Sequence, residues 1–150
     1  MRYLILTCVL AFSATLVAQA GENQIINIPT KQSFPTLVKR LDAAIKAHKM
    51  FAVTRASASI GAKRRGVSIA GNMVIGVYRN DFAVRMLAAS VPAGIEAPIR
   101  FYIWQAKGGA VLSYRKPSVV FAPYGGGVKL KALAAELDVI FAGIARDATK

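Results

Sequence analysis

Acid–base chemistry needs a carboxylate or an imidazole near the proton that it moves, and this sequence has few of either. It has one histidine, His48, which falls on the apolar stripe near the end of a predicted helix. The acidic residues are Glu22, Asp42, Asp81, Glu96, Glu136, Asp138 and Asp147. Only Glu136 and Asp138 are close in sequence, and a helix would direct them to different sides. We therefore assign no catalytic residue and expect His48 to be packed or stabilised by the helix dipole.

Thiol chemistry would depend on Cys8, the only cysteine, which lies in an apolar N-terminal stretch. A basic start, this apolar stretch and the closing Ala18–Gln19–Ala20 are typical of a secretory signal with an A-x-A cleavage site. We expect residues 1–20 to be removed as a cleavable signal peptide; the alternative is a retained N-terminal anchor. Residues 21–150 would then form a single α+β domain without a transmembrane segment, in the periplasm or secreted.

Metal and cofactor chemistry is not predicted for this domain. Without a cysteine, and with a single histidine, the domain offers neither a cysteine-ligated nor a multi-histidine metal site. We therefore predict no metal site and no cofactor.

Positive charge is the strongest chemical signal of the sequence. After Arg2 leaves with the signal, 19 basic residues remain against 7 acidic ones, a formal charge of +12. Such a field attracts polyanions, and outside the inner membrane these are anionic lipid and acidic polysaccharide, with nucleic acid a poorer candidate. We predict that Lys63, Arg64 and Arg65 contact a polyanion. The alternative is a solvated basic surface that serves only solubility.

A glycine run before the last predicted helix is a second candidate for anion binding. Gly125–Gly127 can expose backbone N–H groups at the helix start, and Lys129 follows two positions after Gly127. We predict an anion site at Gly126, Gly127 and Lys129. The alternative is a flexible connector, since no Lys–Ser/Thr pair follows the glycines.

The clearest supersecondary signal is a hairpin, in which Ile99–Gln105 and Ala110–Arg115 flank a glycine-containing turn. If Gln105 pairs with Ala110, one face of the hairpin is apolar. The opposite face carries a ligand or homodimer surface whose candidate residues are Arg100, Tyr102, Trp104, Val111 and Arg115. Aromatic side chains with arginine at the rim are typical of binding surfaces. The alternative is that loops or the termini cover this face.

These candidates have to be positioned by elements whose predicted order is β-α-β-(short α)-β-(short α)-β-β-α. A short strand stops at Pro29, and Ser33 is a favourable N-cap for the first long helix. Asn80 and Asp81 offer a cap and a first-turn acid to a short helix, and Val91–Pro98 is predicted as a loop. The pattern indicates an α+β fold with a mainly antiparallel sheet and helices packed on one face.

From about Ser33 to Ala148, the sequence resembles the domain of unknown function 302 family. The segments that carry the resemblance are Ser33–Phe34, Ala62–Gly66, Gly94–Ile99, Phe101–Trp104 through Gly108 to Val111–Tyr114, and Pro117. The resemblance implies a β-α-β(4)-α sandwich of the TATA-binding-protein-like kind, often dimeric. The pattern derived from the residues has the same order of elements.

The sequence also departs from the family pattern where titratable groups are common. Ser57–Ala58 stands near the position of an Asp–His pair, and Lys116 replaces the acid of a Tyr–Asn–Asp–Pro segment. Tyr78–Arg79–Asn80 stands where Gly–Asn–Pro is common. These departures weaken any catalytic role that the resemblance would imply.

The sequence as a whole favours a non-enzymatic exported binding module. Its ligand would be an apolar or anionic molecule or an anionic envelope surface, and its partners would include a second copy of the chain. Two alternatives stay open, a small periplasmic enzyme of unknown reaction and a structural or stress protein of the envelope.

Overall fold

The computed structural model describes residues 24–150, which form five strands and five helices. The predicted signal peptide lies outside the described residues. The elements are β1 (Ile25–Thr30), α1 (Phe34–Ala47), β2 (Phe51–Ala56), α2 (Ala58–Lys63), β3 (Asn72–Tyr78), α3 (Asn80–Ala89), β4 (Ile99–Ala106), β5 (Gly109–Arg115), α4 (Pro117–Phe121) and α5 (Gly127–Thr149). A 3₁₀ helix, Val91–Glu96, connects α3 to β4.

The strands form one sheet in the order β1-β5-β4-β3-β2, with every neighbouring pair antiparallel. The hairpin of β4 and β5 has the predicted register, in which Gln105 pairs with Ala110. Gly108 has a φ of +86° in its two-residue turn, a conformation that glycine adopts without steric cost. Strand β1 returns from the start of the chain to pair with β5, so β4 lies at the centre of the sheet.

One face of this sheet is covered by helices, with α1 and α5 packed against each other above it. Phe101 of β4 is fully buried there, and its ring stacks on Phe141 of α5 with centroids 5.0 Å apart. Tyr114 of β5 completes the aromatic cluster, 5.2 Å from Phe101. Burying one such large side chain stabilises a fold by roughly 1.5–3 kcal/mol. The predicted α+β fold with helices on one face is confirmed.

The C-terminal ends of α1 and α5 are joined by a polar contact. His48 follows α1 directly and its Nε2 lies 2.9 Å from Asp147 Oδ2. Its ring lies so close to Gly143 that a Cβ there would be 2.5 Å from Cε1. Arg146 also donates to Asp147, and these hydrogen bonds, first from Arg146 and then from His48, lower the pKa of Asp147 well below its ordinary value. None of the helices in residues 24–150 combines the length and apolar character needed to cross a bilayer.

Several local boundaries differ from the sequence predictions. Pro29 does not stop β1, because β1 is an edge strand, where a missing N–H is tolerated. Asn80 is not the N-cap of α3: it is the first helical residue, and Tyr78 Oη donates to its side chain (3.2 Å). The predicted loop Val91–Pro98 holds a 3₁₀ helix, and the predicted order of elements lacks α4, which follows β5.

Candidate ligand groove on the open sheet face

The face of the sheet opposite the helices is open and carries a polar and aromatic surface. Side chains alternate along β4, so Ile99, Phe101 and Ile103 are buried under the helices. The residues between them point the other way, where Tyr102 is 39% and Trp104 37% exposed. Within residues 24–150, nothing covers these two rings completely, so their aromatic surface remains available.

Two arginines, Arg100 and Arg115, lie at the same end of this open face. The last paired residues of the hairpin are Phe101 and Tyr114, and Arg100 and Arg115 take the next facing positions beyond them. Like charges directly opposite each other on neighbouring strands are destabilising. No carboxylate of residues 24–150 lies within 4 Å of either guanidinium. The open face therefore has a positive end at which neither guanidinium forms an ion pair with a described carboxylate.

A chain of hydrogen bonds crosses three strands in the middle of the open face. The indole N–H of Trp104 donates to Ser113 Oγ (3.2 Å), and Ser113 Oγ donates to Asn27 Oδ1 (2.6 Å). Ser113 is only 5% exposed. Because the indole is fixed through its nitrogen, its ring has a defined position on the sheet surface.

A groove of about 490 Å³ runs over this face. Arg100, Arg115, Tyr102 and Trp104 contribute to its lining together with the residues Ile25, Asn27, Val74, Glu96, Ile99, Ser113, Tyr114 and Val120. Its volume lies within the roughly 300–1,000 Å³ that is typical of ligand pockets.

The groove wall contains one carboxylate of the described chain, Glu96, at the end of the 3₁₀ helix. Its Oε1 accepts the hydroxyl of Tyr124 at 2.6 Å. This hydrogen bond, together with burial, raises the pKa of Tyr124 above its ordinary value. Glu96 is thus already held by an internal partner.

Four of the five predicted face residues line the groove. Val111 lies on the same face, opposite Trp104, but it is buried and does not line the groove. The sequence did not predict Asn27 or Glu96 as groove residues, because their positions beside the groove depend on how β1 and the 3₁₀ helix pack against the hairpin. For Asn27 a signal was present: a polar residue between Ile26 and Ile28 has the alternation of a strand with a polar face.

Lys63, Arg64 and Arg65 do not belong to the groove. They lie at the end of α2 and immediately after it, and all three are exposed. No carboxylate among the described residues comes within 4 Å of them. The polyanion contact stays a prediction.

The glycines before α5 have a conformational explanation. Gly126 has a φ of +104°, and a Cβ there would be 2.9 Å from both Ala89 O and Leu130 Cβ. Gly127, with a φ of +57°, is also left-handed, and Lys129 is exposed. The close approach to α3 accounts for Gly126 and the left-handed backbone for Gly127, and the anion site at Gly126, Gly127 and Lys129 stays a prediction. Within residues 24–150, no three His, Cys, Asp or Glu side chains are grouped as a metal site would require.

The described carboxylates share one property, which is that each has a partner inside the fold. The pairs are Asp42 with Arg55, Asp81 with Arg79, Glu96 with Tyr124, Glu136 with Arg85, Asp138 with Ser118, and Asp147 with His48, Arg146 and Lys150. Of the 19 basic residues in residues 24–150, only five are within 4 Å of a carboxylate. The excess positive charge therefore lies on groups that are left for solvent or a ligand.

Comparison with known proteins agrees with the fold. A family model described as "Domain of unknown function DUF302" matches residues 26–146, so the resemblance seen in the sequence is confirmed. The crystal structure of an uncharacterized conserved DUF302 protein from Bacillus stearothermophilus is similar to this chain, with a TM-score of 0.71. The identity is 17%, over 84% of this chain and 98% of that one, and at this identity the likeness shows the fold alone. No curated protein matches the chain at a significant level.

Proposed function

Since the chain belongs to the family of the domain of unknown function DUF302, we propose a function from its own site: it is a non-enzymatic protein that binds an amphiphilic anion in the groove. The ligand would place its acidic headgroup at Arg100 and Arg115 and its apolar part on Tyr102 and Trp104. The protein would do so after export, in the periplasm or outside the cell.

The observation that carries this proposal is that Arg100 and Arg115 line one groove together with the aromatic side chains of Tyr102 and Trp104. Two guanidinium groups without a carboxylate partner can each donate charge-assisted hydrogen bonds to one phosphate or carboxylate. A bound anion would also reduce the electrostatic repulsion between the two guanidinium groups, and this reduction would add to the binding free energy.

The rest of the groove suits an apolar chain. Tyr102 and Trp104 present half-exposed rings beside Val74, and Ile25 borders the arginine end. Burial of apolar surface contributes roughly 25 cal/mol per Å², so an alkyl chain along these rings would add to the affinity from the headgroup.

An anionic molecule fits this face better than a second copy of the chain does. A dimer through the open face would bring two strongly basic subunits together, and like-charge juxtaposition disfavours such an interface. A catalytic role has less support, because Glu96 is the groove's described carboxylate and Tyr124 already occupies it.

Titration of Trp104 fluorescence tests the proposal, since the sequence has one tryptophan. We expect monomeric dodecyl phosphate, below its micelle concentration, to change the emission with saturation. Inorganic phosphate should bind far more weakly, since it lacks the apolar part. Arg100→Gln with Arg115→Gln should weaken dodecyl phosphate binding by on the order of 100-fold, because each lost charge-assisted bond costs about 1.5 kcal/mol or more.

The matched control is Arg40→Gln with Lys46→Gln, which removes two exposed charges from α1 outside the groove. This control should bind nearly as the unchanged protein does. The proposal would be overturned if dodecyl phosphate did not change the Trp104 emission at any concentration. It would also be overturned if both double variants bound dodecyl phosphate equally weakly. Sedimentation in the same buffer measures the oligomeric state, and a dimer whose dissociation changes the Trp104 emission would also overturn the proposal, because it would close the groove.

A further inference from the structure

A second surface, outside the groove, combines exposed apolar and basic side chains around α2. Ile60 is 49% exposed on α2, and Val67 and Ile69 are 50% and 47% exposed on the segment that follows. The α2 patch consists of these three residues and the three exposed cations Lys63, Arg64 and Arg65. Exposed apolar side chains rimmed by polar groups mark interaction sites.

Hydrogen bonds hold the α2 patch in a defined shape. Ser57 caps α2 by accepting the N–H of Ile60 (3.2 Å), and the Asn72 side chain accepts the N–H of Ala58 (2.9 Å). The N–H of Val67 donates to Ala62 O (3.0 Å), which turns the following segment back beside the helix. The apolar residues are therefore presented together by the fold.

The patch also encloses a concavity that an acyl chain could enter. A groove of about 500 Å³ lies between α2 and the segment that follows it, with Phe34 at the start of α1 in its wall. Ile60, Val67 and Ile69 line this groove, and Lys63 lies at its border. Apolar lining and positive charge thus meet in one place.

From this arrangement we propose that the α2 patch docks the protein on the surface of an anionic lipid bilayer. The three cations, which no described carboxylate neutralises, would contact lipid phosphates, and Ile60, Val67 and Ile69 would enter the boundary between headgroups and acyl chains. A water-soluble polyanion such as an acidic polysaccharide would engage the cations but would leave the apolar side chains in water. The combination of both residue types therefore favours a bilayer.

This inference does not rest on the groove of the open sheet face. The α2 patch shares no lining residue with that groove, and the two would be read out separately: docking by sedimentation with vesicles, groove binding by Trp104 fluorescence with dodecyl phosphate. A negative result with vesicles would therefore overturn only the docking proposal, and a negative result with dodecyl phosphate would overturn only the groove proposal.

Co-sedimentation with vesicles tests the docking. We expect binding to vesicles of one-third phosphatidylglycerol in phosphatidylcholine and little binding to pure phosphatidylcholine. Neutralising Lys63, Arg64 and Arg65 together with Gln should lower the partition coefficient by roughly 100-fold, from the usual contribution of basic residues at an anionic surface. The variant Ile60→Ser, Val67→Ser, Ile69→Ser keeps every charge and should lower it by about 10-fold or more.

The charge control replaces Arg40, Lys46 and Lys131 with Gln, three exposed cations on α1 and α5 outside the patch. It should lose much less binding than the variant of Lys63, Arg64 and Arg65. Equal losses in these two variants would overturn the proposal, because they would show a response to net charge alone. Unchanged vesicle binding by the serine variant would overturn it as well, since contact would then be purely electrostatic. Binding of the folded serine variant to heparin should be unchanged, which distinguishes lost bilayer insertion from misfolding.

Discussion

Strand β4 contributes side chains to both faces of the sheet, and the side chains on the two faces have different roles. On the covered face, Phe101 of β4 is fully buried and stacks on α5. On the open face, its neighbours Arg100 and Tyr102 are exposed. A step of one residue along β4 thus separates a side chain that stabilises the fold from one that is available to a ligand. Substitutions on the covered face should therefore change mainly stability, and substitutions on the open face should change mainly ligand binding.

The largest effect is expected on the covered face. Phe101→Ala would leave a cavity under α5 and should lower the free energy of unfolding by about 3–5 kcal/mol, the usual range for a buried phenylalanine. Urea denaturation followed by circular dichroism measures it. A loss below about 1 kcal/mol would contradict the view that this face carries the core.

Ser113→Ala should have a smaller effect, because Ser113 is the buried polar link of the open face. The variant loses the bonds to Trp104 and Asn27, whose polar groups can turn to water, so we expect a loss of about 1 kcal/mol. The Trp104 emission should also shift to longer wavelength, since the indole is no longer held. Emission identical to that of the unchanged protein would show that the hydrogen-bond chain does not position the ring.

The contact of Asp147 with His48 and Arg146, at the C-terminal ends of α1 and α5, predicts that the free energy of unfolding depends on pH. This contact lies on the covered side of the sheet. Its hydrogen bonds lower the pKa of Asp147 in the folded state below the ordinary 3.8. The ionised carboxylate therefore stabilises the fold fully above about pH 4, and this contribution is lost as the pH falls below that value. Asp147→Asn should be less stable than the unchanged protein at pH 7, and the difference should shrink below pH 4. A difference that is constant from pH 7 to pH 2 would contradict this assignment.

The smallest effect on stability is expected for Tyr102→Ala on the open face. Its ring is half-exposed, so the free energy of unfolding should change by no more than about 0.5–1 kcal/mol. Dodecyl phosphate binding should nevertheless weaken by roughly 10-fold, because the apolar part of the ligand loses an aromatic contact. A large loss of stability without a change in dodecyl phosphate binding would contradict the assignment of ligand binding to the open face.

The structural features of the two sheet faces that could be predicted from the sequence are those that depend on neighbouring residues along the chain. The alternation of Ile99 to Trp104, with the glycine turn after it, predicts both the register and which side chains share a face. The pairing of β1 with β5 joins residues 80 or more positions apart and has no local signal, so Asn27 could not be placed beside Ser113. Glu96 was not selected for the same reason, since its place depends on the packing of a 3₁₀ helix.

The N-cap of α3 shows a different limit. Asn80 has a side chain suited to capping, but Tyr78 Oη donates to it, and the helix begins one residue earlier than its cap preference indicates. A side chain suited to capping can thus bind a neighbouring group instead, because a cap and a side-chain hydrogen bond each contribute only about 1 kcal/mol.

The internal pairing of every described carboxylate also bears on how quickly the protein finds a negatively charged target. Each described carboxylate has a partner within the fold, whereas 14 of the basic residues in 24–150 have no carboxylate within 4 Å, so the excess charge that such a target meets is positive. Encounter rates should then exceed those of a neutral protein at low ionic strength, and they should fall as added salt shortens the screening length to about 8 Å at physiological concentration.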